Sequence, residues 1–109
     1  MGQQNISPEK THNVIFADAL AALNNGKMVT REIWEQGSFV FKQIPATITA
    51  DVIPKMQSLP QSVKDEFAKR GTLSIAYDNQ LALVNIKNEI SGWSPSSTET
   101  LARDWIILE

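Results

Sequence analysis

The chain contains no cysteine among its 109 residues. It can therefore form neither disulfides nor thiolate-ligated zinc or iron–sulfur sites, and it has no cysteine nucleophile. Histidine is almost as scarce, because His12 is the only one in the sequence. A Ser-His-Asp triad or a site with several histidine ligands is thus not expected. The glycines lie singly, so there is no glycine-rich phosphate loop of the G-x-G-x-x-G or P-loop type. We expect no catalytic residue, no metal and no cofactor.

An excess of charge of one sign is also lacking. Twelve acidic and ten basic residues give a formal net charge of −2. This balance provides no positive field, so we expect no binding to DNA, RNA or an anionic membrane. The apolar runs are only a few residues long and residues 1–10 are polar, so neither a membrane span nor a signal peptide is expected. The cytoplasm is the expected location.

The length of the chain is enough for about one domain. Residues 1–12 are predominantly polar, and a segment of this composition buries too little apolar surface to order itself. We therefore predict a flexible tail over residues 1–12 and a single domain over residues 13–109. A core of this size covers a limited fraction of the chain's surface, which favours association between subunits.

Three short helices are predicted from different signals. Apolar residues recur at spacings of four and three over residues 16–23 and are followed by Asn-Asn-Gly, which favours a helix end. Residues 58–70 have a proline near the start and Gly71 just past the end. Ser96 and Glu99 match the S-x-x-E capping box, which predicts a helix through residue 102.

The remaining segments are typical of β-strands. Two β-rich segments, residues 28–34 and 38–44, flank a polar turn and predict a hairpin. Turn-forming pairs separate three more candidates, which predicts a three-stranded meander with its middle strand covered on both faces: residues 72–77, 80–86 and 89–93. A final strand is expected over residues 104–108. The predicted fold class is α+β, with a mainly antiparallel sheet and short helices.

The three tryptophans are the most informative residues. Trp105 lies among aliphatic residues and is expected in the core. Trp34 and Trp93 each lie at the end of a predicted strand beside a polar turn, where a large ring is difficult to bury in one small subunit. Such a ring can stack on a purine base, an interaction worth about 1 to 3 kcal/mol. It can equally be buried in a subunit interface.

Four polar residues near these tryptophans are candidate ligand contacts. Arg31 offers a planar fork of donors that suits a pyrophosphate, although a bend is needed if it shares a site with Trp34. Ser94 and Ser96 flank a proline before a helix start, where hydroxyls and helix N–H groups can receive an anionic or sugar oxygen. Asp104 can accept ribose hydroxyls. Three of them also have a purely structural interpretation: a surface ion pair with Glu32 or Glu35 for Arg31, helix capping for Ser96 and turn stabilisation for Asp104.

The order of the motifs along the chain resembles the second Thoeris anti-defence family, small proteins of phages and prophages. The resemblance runs from about residue 14 to residue 108. The motifs that carry it are Phe16-Ala17-Asp18-Ala19-Leu20-Ala21-Ala22-Leu23, Gly26-Lys27, Arg31-Glu32-Ile33-Trp34, Gly92-Trp93-Ser94-Pro95-Ser96 and Leu101-Ala102-Arg103-Asp104-Trp105.

This resemblance implies a sponge and not an enzyme. Family members bind the cyclic ADP-ribose isomer made by the Thoeris TIR enzyme, glycocyclic ADP-ribose, and keep it from its effector in the infected host cell. They assemble as homotetramers with ligand pockets at subunit contacts, and some hold cyclic oligonucleotides. Carried onto this chain, the resemblance implies that the purine faces Trp34 and Trp93, with the other contacts made by Ser94, Ser96, Arg31 and Asp104.

The chain departs from the shortest family members at residues 45–71, a longer connection that contains the second predicted helix. This inserted segment can cover a pocket, remodel it or widen the subunit surface. Three hypotheses follow: a sponge for a cyclic ADP-ribose-type or cyclic oligonucleotide signal, a hydrolase that uses carboxylates such as Asp104, and a non-catalytic oligomeric interaction module. The lack of an acid–base constellation disfavours the hydrolase.

Overall fold

The structure is a computed structural model that describes residues 11–108. Its strands are β1 (Thr11–Val14), β2 (Met28–Arg31), β3 (Phe39–Gln43), β4 (Ala46–Thr49), β5 (Ser74–Tyr77), β6 (Gln80–Val84), β7 (Ile90–Gly92) and β8 (Trp105–Leu108). Its helices are α1 (Phe16–Asn24), α2 (Gln61–Lys69) and α3 (Ser97–Leu101), with a 3-10 turn at Ile53–Lys55. Within the described part of the chain, no helix has the length and apolar character needed to cross a membrane.

The strands form two antiparallel sheets. One has six strands in the order β1-β8-β2-β3-β6-β7, and the other pairs β4 with β5. The predicted α+β class with a mainly antiparallel sheet is confirmed. The chain divides into two compact units. The main unit holds the six-stranded sheet, α1 and α3, and the hairpin unit, Ile44–Asn79, holds β4, β5 and α2. That residues 45–71 are an insertion in a single domain stays a prediction.

Helix α1 forms and ends where the sequence predicts. Its apolar stripe buries Ala19, Ala22 and Leu23 against β2, β3 and β8. Gly26 then adopts a φ of +83°, a left-handed conformation that glycine reaches without a steric penalty. The helix thereby covers one face of the six-stranded sheet.

The core lies between α1 and that face. Val29, Val40 and Trp105 are fully buried there together with the apolar stripe of α1. Trp105 is thus in the core, as predicted. Because side chains alternate along a strand, the next residues, Thr30 on β2 and Ile106 on β8, point to the opposite face, where the register places them side by side.

Two parts of the strand prediction are wrong. The meander does not exist, because β5 pairs with β4 in the hairpin unit while β6 lies between β3 and β7. The Asp78-Asn79 step therefore leads from one sheet into the other instead of closing a hairpin. The β2–β3 hairpin is confirmed through Val29 opposite Val40, but β2 ends at Arg31 and Trp34 lies in the loop.

Two strands were not foreseen. Strand β4 follows Pro45, and β1 includes Thr11 and His12, which the sequence placed in the tail. Thr11 and Val14 pair with Ile107 and Trp105 of β8 in the last part of the chain, a partner that local composition does not reveal. Residues 1–10 of the expected tail lie outside the described residues.

Candidate ligand-binding site

The loop between β2 and β3 consists of two successive turns. The N–H of Trp34 donates to the carbonyl of Arg31 at 3.1 Å, and that of Ser38 donates to the carbonyl of Glu35 at 3.0 Å. Gly37 occupies the third position of the second turn with a φ of +100°, as a type II turn requires. The first turn supplies the bend that was expected to be necessary if Arg31 and Trp34 belong to one site.

This loop forms one wall of a groove of about 610 Å³ on the face of the sheet opposite α1. The floor comes from residues of β2, β3 and β8, and β1 contributes a histidine. The groove residues are His12, Thr30, Arg31, Glu32, Trp34, Glu35, Gln36, Gly37, Ser38, Phe39, Ile106 and Leu108. The volume lies within the range of about 300 to 1,000 Å³ that is usual for small-molecule sites.

Trp34 belongs to a tryptophan cluster with Trp93 and Trp105. Its ring centroid lies 5.3 Å from that of Trp105 and 6.0 Å from that of Trp93, with interplanar angles of 78° and 79°. Trp93 and Trp105 meet in the same edge-to-face manner at 6.0 Å. Edge-to-face packing matches the electron-rich face of one ring to the positive edge of the next. The fully buried Trp105 thereby holds the two half-buried rings in fixed orientations.

The indole of Trp105 is itself fixed from the other side. Its Nε1–H donates to the carbonyl of Glu99 on α3 at 2.9 Å. Helix α3 in turn begins with the predicted capping box, in which the Glu99 N–H donates to Ser96 Oγ and the Ser96 N–H donates to the Glu99 carboxylate. Ser96 therefore has the structural role that the sequence left open. By capping α3 it stabilises the helix whose Glu99 carbonyl binds Trp105.

Arg31 and Asp104 form an ion pair beside the cluster. The guanidinium Nε donates to Oδ1 at 2.8 Å, and Nη2 donates to Oδ2 at 3.3 Å. The side chain of Arg31 is only 9% exposed and that of Asp104 is 25% exposed. The guanidinium carbon also lies 6.0 Å from the centroid of Trp105, within the range of a cation–π contact. The pair neutralises the cation that the sequence suggested for a pyrophosphate.

The groove brings together only part of the predicted site. Of the six predicted residues, Arg31 and Trp34 line it. Trp93 and Asp104 lie behind them, in the tryptophan cluster and in the ion pair. Ser94 is exposed at the surface outside the groove lining. Ligand contacts for these residues stay predictions.

Sequence reasoning missed several groove residues. His12 was placed in the tail, and Thr30 and Ile106 were taken as ordinary strand residues. The period-2 alternation of β2 and β8 does show that both lie on the face opposite the buried valine, but their adjacency depends on the β2–β8 pairing. The sequence suggested no ligand contact for Glu32 or Glu35. Among residues 11–108, no three histidine or carboxylate side chains converge to hold a metal ion.

Comparison with known proteins adds one finding. A family model described as the Thoeris anti-defense 2-like domain matches residues 14–108, which is almost all of the chain. No curated protein matches the chain. The matched range includes every element of the tryptophan cluster, the ion pair and, apart from His12, the groove.

Proposed function

Because the chain belongs to the Thoeris anti-defense 2-like family, we propose that it is a non-catalytic sponge. In this proposal it binds a cyclic ADP-ribose-type immune signal, glycocyclic ADP-ribose, and leaves every bond of the signal intact. Sequestration keeps the signal from the Thoeris effector. An anti-defence role follows from the family; the ligand and the sequestration are the proposal. The site of action is the cytoplasm of the infected bacterial host.

The observation that carries the proposal is Trp34, a residue that lines a groove of nucleotide size and whose half-buried indole is held by Trp93 and Trp105. An exposed ring loses side-chain entropy when it stacks on a base. The cluster reduces this loss, because Trp93 and Trp105 already fix the orientation of Trp34 through edge-to-face contacts. This preorganisation of the Trp34 ring favours binding.

The ion pair supports a binding protein over a hydrolase. The hydrolase alternative needs a carboxylate such as Asp104 as a general base. Both carboxylate oxygens of Asp104 accept hydrogen bonds from Arg31, which gives this carboxylate a fixed structural role. Use of Asp104 as a general base would compete with these two hydrogen bonds.

The first test is recovery of the ligand. The full chain is mixed with glycocyclic ADP-ribose, separated from free ligand and heated, and the released nucleotide is identified by mass spectrometry. The sponge predicts intact ligand, whereas linear ADP-ribose would reject the proposal and favour the hydrolase.

The second test concerns Trp34. Loss of one base–aromatic stack worth about 1 to 3 kcal/mol corresponds to roughly a 5- to 150-fold weaker affinity. We expect Trp34→Ala to weaken binding in calorimetry by this amount and Trp34→Phe, which keeps a smaller ring, to weaken it less. Equal affinities for both variants and the unmodified protein would contradict the role of Trp34. A melting curve for each variant shows whether the fold is retained.

We also propose that the chain assembles with copies of itself, as a tetramer. Three isoleucines are exposed and supply apolar surface that a subunit contact would remove from water: Ile33, Ile86 and Ile90. Native mass spectrometry reports subunit number and bound mass together.

Panels of cyclic ADP-ribose isomers and cyclic oligonucleotides distinguish the two classes of signal. Binding of neither class, with no rise in melting temperature, would leave only the interaction module.

A further inference from the structure

The charges around the groove do not favour an anion. Within residues 11–108, the ionisable residues that line it are His12, Arg31, Glu32 and Glu35. The positive charge of Arg31 is already matched by Asp104 at 2.8 Å. The remaining formal charges are the two carboxylates of Glu32 and Glu35. A diphosphate placed in this groove would be repelled by both, because like charges at short range raise the energy of the complex.

The uncharged part of a nucleotide, the nucleoside, is not repelled by these carboxylates. A nucleoside offers a flat base for stacking, together with ribose hydroxyls and an exocyclic amine that donate hydrogen bonds. Trp34 is one of the residues that line the groove, and the apolar lining residues include Phe39 and Ile106. Ionised carboxylates are pure acceptors, so Glu32 and Glu35 complement the donors of the sugar and the amine. Hydrogen bonds with one charged partner are about twice as strong as neutral ones.

From this complementarity we propose that the groove binds the nucleoside part of the sequestered signal and that Glu32 and Glu35 select it by accepting hydrogen bonds from its hydroxyl or amine donors. The inference rests on the proposed sponge function, which it refines. The phosphates of the signal then lie outside the groove, away from the two carboxylates. The Arg31–Asp104 pair acts as a positioning element that holds the end of β2 from which the loop begins, where the Glu32 N–H donates to the carbonyl of Asp104 at 3.1 Å.

Competition experiments with the full chain test the inference. Cyclic ADP-ribose serves as the bound probe, and adenosine and inorganic pyrophosphate are the competitors. We expect adenosine to displace the probe and pyrophosphate to leave it bound. Raising the salt concentration from 50 to 300 mM is expected to leave the affinity unchanged or to raise it, because screening weakens the repulsion between the phosphates and the carboxylates.

Substitution of the two carboxylates is the second arm. Glu32→Gln and Glu35→Gln keep the side-chain shape but replace a charged acceptor with a neutral amide. We expect each to weaken adenosine binding at least tenfold with an unchanged melting temperature. Glu89→Gln is the matched control, because Glu89 is an exposed glutamate on the β6–β7 turn that does not line the groove. It is expected to leave the adenosine affinity unchanged.

The outcomes separate the inference from the function on which it rests. If the probe binds but adenosine does not compete, or both glutamate variants bind like Glu89→Gln, the inference is overturned and the sponge stands. Displacement of the probe by pyrophosphate, with affinity falling as salt rises, also overturns it. If adenosine binds and needs the two glutamates while neither cyclic ADP-ribose nor its glycocyclic isomer binds, the nucleoside site is supported and the sponge fails.

Discussion

The ion pair between Arg31 and Asp104 allows a quantitative test, because the same chain contains an exposed pair for comparison. Arg70 and Glu66 on α2 form an (i, i+4) pair at 2.9 Å with side chains 66% and 50% exposed. The Arg31–Asp104 pair has a similar shortest distance, 2.8 Å, but exposures of only 9% and 25%. The Arg31–Asp104 pair therefore differs from the exposed pair in its burial and in its second hydrogen bond, from Nη2 to Oδ2.

The expected magnitudes follow from that difference. Exposed pairs contribute about 0 to 1 kcal/mol to stability, and (i, i+4) pairs about 0.3 to 0.5 kcal/mol. Removal of one partner from a fully buried pair costs about 3 to 5 kcal/mol, because the remaining charge is left without compensation. Arg31–Asp104 lies between these limits, so we expect a coupling energy of about 1 to 3 kcal/mol. Asp104→Asn alone leaves the guanidinium uncompensated and is expected to cost a similar amount.

Double-mutant cycles measured by urea unfolding provide the assay. One cycle uses Arg31→Met and Asp104→Asn, and the control cycle uses Arg70→Met and Glu66→Gln. Repeating both at high salt adds a check, since screening removes the coupling of an exposed pair more readily than that of a half-buried one. A coupling energy for Arg31–Asp104 no larger than that of the control would refute the structural role assigned to the pair.

Three further predictions concern stability, each measured by urea unfolding against the unmodified chain. Leu23→Ala empties a fully buried position on α1 and is expected to cost about 2 to 5 kcal/mol, whereas Leu20→Ala, at a position 39% exposed, is expected to cost clearly less; equal costs would contradict the assigned core face. Gly37→Ala forces an L-residue to a φ of +100° and is expected to cost about 1 to 3 kcal/mol, while Gly92→Ala, without a positive φ or a close contact, serves as its control. Ser96→Ala removes the side chain that accepts from the third residue of α3 and is expected to cost about 1 kcal/mol; no loss would mean that the capping box is dispensable.

The sequence predicted features that depend on neighbouring residues. The ends of α1 and α2 follow from Gly26 and Gly71, both of which adopt positive φ. The capping box of Ser96 and Glu99 is a signal within four residues. The burial of Trp105 follows from its aliphatic neighbours. In each case the physical cause lies within one turn of the chain.

Features that depend on distant residues were not predictable in the same way. Strands β5 and β6 are separated by a turn-forming pair, which is typical of a hairpin, yet β5 pairs with β4. The placement of Trp34 against Trp93 needs two loops from opposite ends of the chain to meet above Trp105. A single sequence contains no record of such contacts, so it suggested Trp34 and Trp93 as separate rings beside loops and Trp105 as a core ring, but not that the three pack together.

Strand β1 gives the groove an unusual dynamic property. It is an edge strand that pairs with β8, its register is irregular between Thr11 and Val14, and Asn13 adopts a φ of +57°. Segments with so few constraints detach at a lower free energy than the rest of a protein. Because His12 on β1 lines the groove, a ligand that reaches it competes with this detachment. Amide hydrogen exchange at β1 would then slow on binding, while exchange at the central strands would not change. Exchange at this edge strand therefore reports whether a ligand occupies the groove.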